Sequence, residues 1–312
     1  MQLPDVLGPR EESEFLYGSL ADQMFTVTGR SGFFDGLLGW PDINRVLRSH
    51  ALPKHSVVVT KGGRRVPDEA YTQVVPRYPD QLSAAHLTET RLCARALGTF
   101  LRNGASLALN GLEDHHGPLA ELIRDLEARL RVRVYANAYM AWGDTSGLSA
   151  HWDDHDVLVL QISGRKHWSV LPPTQPFPME GAGTLEHPPA METARGIVLT
   201  AGDVLYLPRG WWHLVTPVNE PSLHLTLGFT RRTGAHFMEW LAADLRKEVE
   251  FRRDLPRGAD AGDRQEHLTR LRAALTRYLD DPGILDRYFA VADERCTRNL
   301  IDLTCDVAEV ET

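Results

Sequence analysis

Cysteine is scarce in this chain of 312 residues, with only Cys93, Cys296 and Cys305 present. Three scattered thiols cannot build a disulfide framework or a thiolate zinc site, and they fit a reducing, cytoplasmic setting. Lysine is also thin, 4 residues against 30 arginines, so a lysine inside a motif stands out from the background. An excess of positive charge is missing. With 34 Lys and Arg against 42 Asp and Glu, the formal net charge is -8, and no direct nucleic-acid partner is expected. No apolar run reaches the roughly 18 residues that cross a bilayer. The segment Met1 to Arg10, followed by Glu11, Glu12 and Glu14, has no basic start and apolar stretch of an export signal, so no membrane partner is expected. Internal repeats and low-complexity tracts are absent too. What remains is an ordinary globular composition, 43% hydrophobic and 24% charged, in a chain longer than one average domain.

Hydrophobic periodicity divides the chain into three zones. Residues 1–130 mix short helical and extended pieces that are expected to pack on the strand-rich region after them. Phe33 to Leu38 reads as a helix start, His55 to Thr60 as a strand and Ser83 to Leu101 as a helix. Pro118 to Leu130 reads as a helix with its proline in the first turn. From Arg131 the period falls to two. Val132, Val134, Ala136, Ala138 and Met140 alternate with Arg133, Tyr135, Asn137 and Tyr139. Further strands are expected over 157–162, 166–171, 197–200, 204–207, 211–215 and 223–229. Turn formers such as Ser163-Gly164 and Ala201-Gly202-Asp203 separate them. Pro172 to Pro189, with six prolines, reads as an inserted loop. Many short strands without intervening helices predict an antiparallel sandwich or barrel over 131–230. Residues 231–312 return to helix with narrow apolar stripes such as Phe237, Leu241, Leu245 and Val249. Helices of this kind need a partner surface, and a homodimer through them is expected.

The chemistry-bearing pattern is His151-Trp152-Asp153, followed 62 residues later by His213. Residues i and i+2 of a strand share a face, so an imidazole and a carboxylate can converge on one ion. A closed barrel could bring His213 across to them. Two imidazoles and one carboxylate leave coordination positions open, the arrangement of non-haem Fe(II) oxygenases. Asp154, His155 and Asp156 are rivals, because a local bulge would change which groups face inward. Parity favours Asp153, with Asp154 as the nearest substitute.

The stretch from Tyr135 to Phe229 resembles a Jumonji-C domain, a branch of the cupin-like, jelly-roll double-stranded β-helices, and within it the ribosomal oxygenase group. The resemblance is carried by Asn137-Ala138-Tyr139, His151-Trp152-Asp153, Asp156-Val157, Gln161 to Trp168, Gly202 to Gly210 and His213. It implies a mainly β core with flanking helices. It also implies Fe(II) held by His151, Asp153 and His213, 2-oxoglutarate as co-substrate and O2 as oxidant. Lys166, fifteen residues after His151, matches the position that binds the far carboxylate of 2-oxoglutarate. A cation on an inner strand also needs an anionic partner, which a dicarboxylate provides. Asn137 and Tyr139 share a strand face and are candidates either for contact with the co-substrate or substrate or for hydrogen bonds within the core. His224 and Thr226 share a face of the last strand and are expected to complete the pocket. Gly228 departs from the group, whose members tend to carry a small hydroxyl side chain there.

The resemblance implies hydroxylation of a protein or peptide side chain, arginine or histidine on a ribosomal protein among them, with succinate and carbon dioxide released. Other readings are a hydroxylase of a biosynthetic peptide or small metabolite, a barrel enzyme using Zn or Mn, and a metal-binding module without catalysis.

Overall fold

The computed structural model describes residues 1–49, 56–81, 83, 86–179 and 188–296, and the chain divides into two compact units, residues 1–230 and 231–312. In the first unit the helices are α1 (Leu3–Leu7), α2 (Glu12–Tyr17), α3 (Trp40–Arg48), α4 (Ala94–Arg102) and α5 (Gly117–Leu130). Its strands begin with β1 (Phe25–Val27), β2 (Val57–Lys61), β3 (Arg64–Arg65), β4 (Thr72–Pro76), β5 (Thr88–Leu92) and β6 (Ser106–Leu109). They continue with β7 (Val134–Ala141), β8 (Asp156–Ser163), β9 (Lys166–Leu171), β10 (Arg195–Leu199), β11 (Val204–Leu207), β12 (Trp212–Pro217) and β13 (Ser222–Phe229).

These strands form a large sheet in the order β1-β11-β8-β13-β7-β6-β2-β3 and a smaller one in the order β10-β9-β12, all pairs antiparallel. The central strands β8, β11 and β13 of the large sheet are buried on both faces, which requires a layer on each side. Leu158 and Leu160 of β8, with Leu223, Leu225, Leu227 and Phe229 of β13, join the core formed with the N-terminal helices. The alternate residues Val157 and Val159 join Trp168 and Val170 of β9 and Leu205 and Leu207 of β11 in a second core between the sheets. On β9 the burial alternates, with Lys166, Trp168 and Val170 buried. This is the jelly-roll, cupin-like architecture expected, with its inner space between the large and small sheets.

Two N-terminal expectations fail for identifiable reasons. Within the span 83–101 read as one helix, Thr88–Leu92 is a strand that pairs with Thr72–Pro76, and among the described residues the α-helix covers Ala94–Arg102; residues 84 and 85 lie outside the described residues. Thr88 and Thr90 are β-branched and favour the strand, which outweighs an accidental leucine spacing. Phe33 to Leu38 is a series of turns, and the helix begins at Trp40, after Gly32, Gly36 and Gly39. The expected strand at 55–60 is β2, and His55 lies outside the described residues, as do residues 180–187 of the proline-rich loop. Strands β1 and β6, not read from the sequence, extend the large sheet from the N-terminal zone.

The second unit holds α6 (Gly234–Asp244), α7 (Val249–Arg252), α8 (Ala261–Leu279) and α9 (Ile284–Cys296). Leu241, Leu245 and Ile284 form its core with Phe237, Trp240, Phe251, Leu275 and Tyr278. Asp260 caps α8 by accepting from the Asp263 amide at 2.9 Å.

The turn between β10 and β11 depends on Gly202, which has φ +95° and where a Cβ would sit 2.0 Å from the Arg30 carbonyl oxygen. Gly29, at φ +82°, has nothing within 4 Å of such an atom. Gly202→Ala is therefore expected to cost about 3 kcal/mol of unfolding free energy, strain and clash together. Gly29→Ala, with strain alone, should cost about 1 kcal/mol. Urea denaturation of the two variants measures the difference, and equal losses would contradict the packing described.

Candidate active site

His151 and His213 meet through their backbones. The His151 amide donates to the His213 carbonyl at 3.1 Å, and the His213 amide donates to the His151 carbonyl at 2.7 Å. This isolated antiparallel bridge sets two distant segments side by side, with the imidazole centroids 4.3 Å apart. Asp153 is held on the same segment, its carbonyl accepting from the Gly210 amide at 2.8 Å. One ligand atom each from His151, Asp153 and His213 falls within 4.8 Å of the others, and His213 Nε2 lies 3.7 Å from Asp153 Oδ2.

The imidazoles are oriented in the same way. His151 Nδ1 lies 2.9 Å from the Ser149 carbonyl and His213 Nδ1 lies 3.1 Å from the Trp211 carbonyl. A carbonyl only accepts, so each Nδ1 carries the hydrogen and each Nε2 keeps its lone pair. Backbone support of one ring nitrogen is the usual way a protein presents the other to a metal. Burial, and next the neighbouring His151, push the His213 pKa down to about 4, against the opposing effect of Asp153. The ring is therefore neutral at physiological pH, as a ligand must be.

Of the rival residues, Asp154 is turned to His155, whose Nδ1 lies 3.0 Å away. Asp156 is buried and accepts from the Arg209 amide at 2.9 Å, which fastens the turn before His213. Asp153 alone of the three carboxylates joins the cluster.

The cluster opens into a cavity of about 150 Å³ whose lining includes Asn137, Tyr139, Lys166, His224 and Thr226. Register explains the grouping. Thr226 lies opposite Asn137 and His224 opposite Tyr139 across the β13–β7 pair, so one inner face carries all four. Asn137 Oδ1 accepts from the Gly111 amide at 3.3 Å. Burial, and then the Asp153 charge, push the Tyr139 pKa up to about 12, so its phenol stays protonated.

Lys166 is 2% exposed. Its Nζ donates to the Tyr139 carbonyl at 3.0 Å and contacts His224 Nδ1 at 2.8 Å, and among the described residues no carboxylate pairs with it. Desolvation pulls its pKa down to about 7. Trp168 lies between the two halves of the site, 5.8 Å from the His213 ring and 5.3 Å from the His224 ring. Tyr135 and Trp168 also line the cavity, as does His155, which the sequence offered only as a rival ligand. Gly228 has a structural explanation: a Cβ there would lie 2.6 Å from the Tyr135 ring and 3.1 Å from His155.

With this geometry in place, the likeness to known proteins can be located. The JmjC domain profile matches residues 118–237, which take in all three cluster residues and Lys166. The chain is 27% identical over 263 residues, 81% of its length, to the bifunctional lysine-specific demethylase and histidyl-hydroxylase NO66 of Drosophila pseudoobscura pseudoobscura, and covers 26% of that protein. It is 27% identical over 238 residues, 73% of its length, to ribosomal oxygenase 1 of Gallus gallus, of which 37% is covered. The chain thus spans between about a quarter and two fifths of these relatives. Among solved structures, the ribosomal oxygenase YcfD of Escherichia coli shares the fold, with a TM-score of 0.51 at 15% identity over 90% of this chain and 69% of that one. The matched segment and the jelly roll agree: residues 118–237 are similar to a JmjC domain, and the relatives named above share that likeness at 27% identity.

Proposed function

We propose that the protein is an Fe(II)- and 2-oxoglutarate-dependent oxygenase that hydroxylates a C–H bond of a protein or peptide side chain. The observation that carries this reading is the pairing, in one cavity, of a His-Asp-His donor set with a buried lysine that no carboxylate meets among the described residues. The donors suit the metal: two imidazole nitrogens with free lone pairs and one carboxylate occupy one side and leave the rest open. Iron held by His151, Asp153 and His213, together with the 2-oxo acid and O2, supplies hydroxylation coupled to release of succinate and carbon dioxide. Lys166 binds the far carboxylate of the co-substrate and so orients it along the cavity. Tyr139, kept protonated, and Thr226 offer hydroxyl donors to the same anion, and Asn137 lines the same cavity. Val157, Val159 and Val215, with Trp168, line the space and limit the entry of water.

The histidyl-hydroxylase and ribosomal oxygenase relatives support a protein substrate, with a histidine or arginine side chain of a ribosomal protein as the first to test. A homodimer through the C-terminal helices suits the exposure of Leu268, Leu279, Leu285 and Phe289 on the second unit. A cytoplasmic site of action suits the free thiols Cys93 and Cys296, and no described helix is long and apolar enough to cross a membrane.

Incubation with Fe(II), 2-oxoglutarate and ribosomal protein, followed by mass spectrometry, should show the gain of one oxygen on a side chain. His151→Ala, Asp153→Ala and His213→Ala should each reduce iron-dependent succinate formation at least about a hundredfold. Turnover undiminished in all three would overturn the reading.

A second outcome follows from the buried cation. The lysine is protonated in the unfolded chain up to its ordinary pKa, whereas the folded protein releases that proton from about pH 7. Between about 7 and 10.5 the unfolded state binds more protons, so stability rises with pH. Compared with Lys166→Met, ligand-free wild type should gain up to about 1.4 kcal/mol per pH unit across that window. Denaturation curves at several pH values measure it, and a flat or falling difference would contradict a desolvated ammonium.

A further inference from the structure

His224 is the cavity residue whose contact with Lys166 gives it a task of its own. It sits on β13 opposite Tyr139, and its ring is fixed on two sides. The Tyr139 ring stacks on it at 5.0 Å with planes 22° apart, and Trp168 meets it edge-on at 5.3 Å. When Lys166 is protonated it has three N–H groups and no acceptor, so in that form the 2.8 Å contact with its Nζ makes His224 Nδ1 the acceptor and puts the ring hydrogen on Nε2. The Tyr139 carbonyl takes a second N–H. One N–H of Lys166 is left for whatever enters the cavity.

The neutrality of this partner matters as much as its position. Burial, and next the adjacent Lys166 charge, hold the His224 pKa well below its ordinary value, so the imidazole does not compete for the positive role. A carboxylate at 224 would pair with Lys166 and leave little attraction for an incoming anion. An apolar side chain would leave a charged N–H without an acceptor and the ammonium free to turn.

We propose that His224 is a positioning residue that aims Lys166 at the far carboxylate of a 2-oxo dicarboxylate while leaving the ammonium charge unneutralised. This rests on the function proposed above, and the test separates the two. Titration calorimetry on the anaerobic Fe(II)-loaded protein compares 2-oxoglutarate with oxalate, which chelates a metal but has no distant carboxylate. His224→Leu should weaken 2-oxoglutarate binding by about tenfold or more and leave oxalate within about twofold. His224→Asn, whose amide oxygen can accept from Lys166, should recover most of the affinity. His224→Asp, nearly isosteric with Asn but charged, should bind as weakly as the Leu variant or worse. If the Leu variant does not fold, the Asn and Asp pair carries the same comparison. Unchanged 2-oxoglutarate affinity in the Leu and Asp variants would overturn the inference and leave the co-substrate reading standing. Equal loss of 2-oxoglutarate and oxalate would also overturn it, because the residue would then act on the whole site. Wild-type protein that binds oxalate but not 2-oxoglutarate overturns the co-substrate reading itself, and this inference with it.

Discussion

The backbone bridge between His151 and His213 is the constraint on which the candidate site depends. Two amide-carbonyl hydrogen bonds tie a segment that follows β7 to the start of β12. No local structure could place these residues together, because 62 positions separate them. Closure of the large sheet over the small one does so, and each side contributes. Asp156 fastens the Arg209 amide, and the Asp153 carbonyl fastens the Gly210 amide, so the turn before His213 is held to the strand that follows His151. The rings are then aligned by carbonyls of their own segments, which leaves both Nε2 atoms facing the shared space.

The other half of the cavity is built at a cost to folding. A buried lysine satisfied by a carbonyl and a neutral imidazole loses its hydration without gaining an opposite charge. Such a group is poorly explained as a stabilising device, since an apolar side chain of similar volume would avoid the penalty. It is well explained as a half-finished ion pair whose other half arrives with a ligand. The two ends of the cavity are therefore complementary: one offers neutral nitrogens and a carboxylate to a cation, the other a cation to an anion. Trp168 between them separates the ends and fills space that water would otherwise take.

Much of this was legible in the sequence because strands have a strict period of two. Alternation over β7 put Asn137 and Tyr139 on one face and Val134, Ala136, Ala138 and Met140 on the other, and the structure keeps that division. Asp153 does stand in the cluster with both histidines, but not by strand parity: His151 forms only an isolated bridge, and Trp152 and Asp153 lie outside any strand. Less legible was what depends on pairing across the fold. The strand at 88–92 exists because 72–76 lies beside it, and the local leucine spacing pointed to a helix instead. His224 could be placed on the inner face, but its contact with Lys166 depends on the approach of the two sheets. The meaning of Gly228 was hidden for the same reason, since it lies in the Tyr135 ring directly opposite.

The most direct measurement of the central claim is anaerobic titration of the protein with Fe(II) and then 2-oxoglutarate, followed in the visible spectrum. If His151, Asp153 and His213 hold the ion while Lys166 holds the far end of the acid, a weak metal-to-ligand charge-transfer band should grow to saturation at one equivalent. The same titration of the Lys166→Met variant should need far more of the acid. No band in the wild type at saturating iron and 2-oxoglutarate would contradict the account.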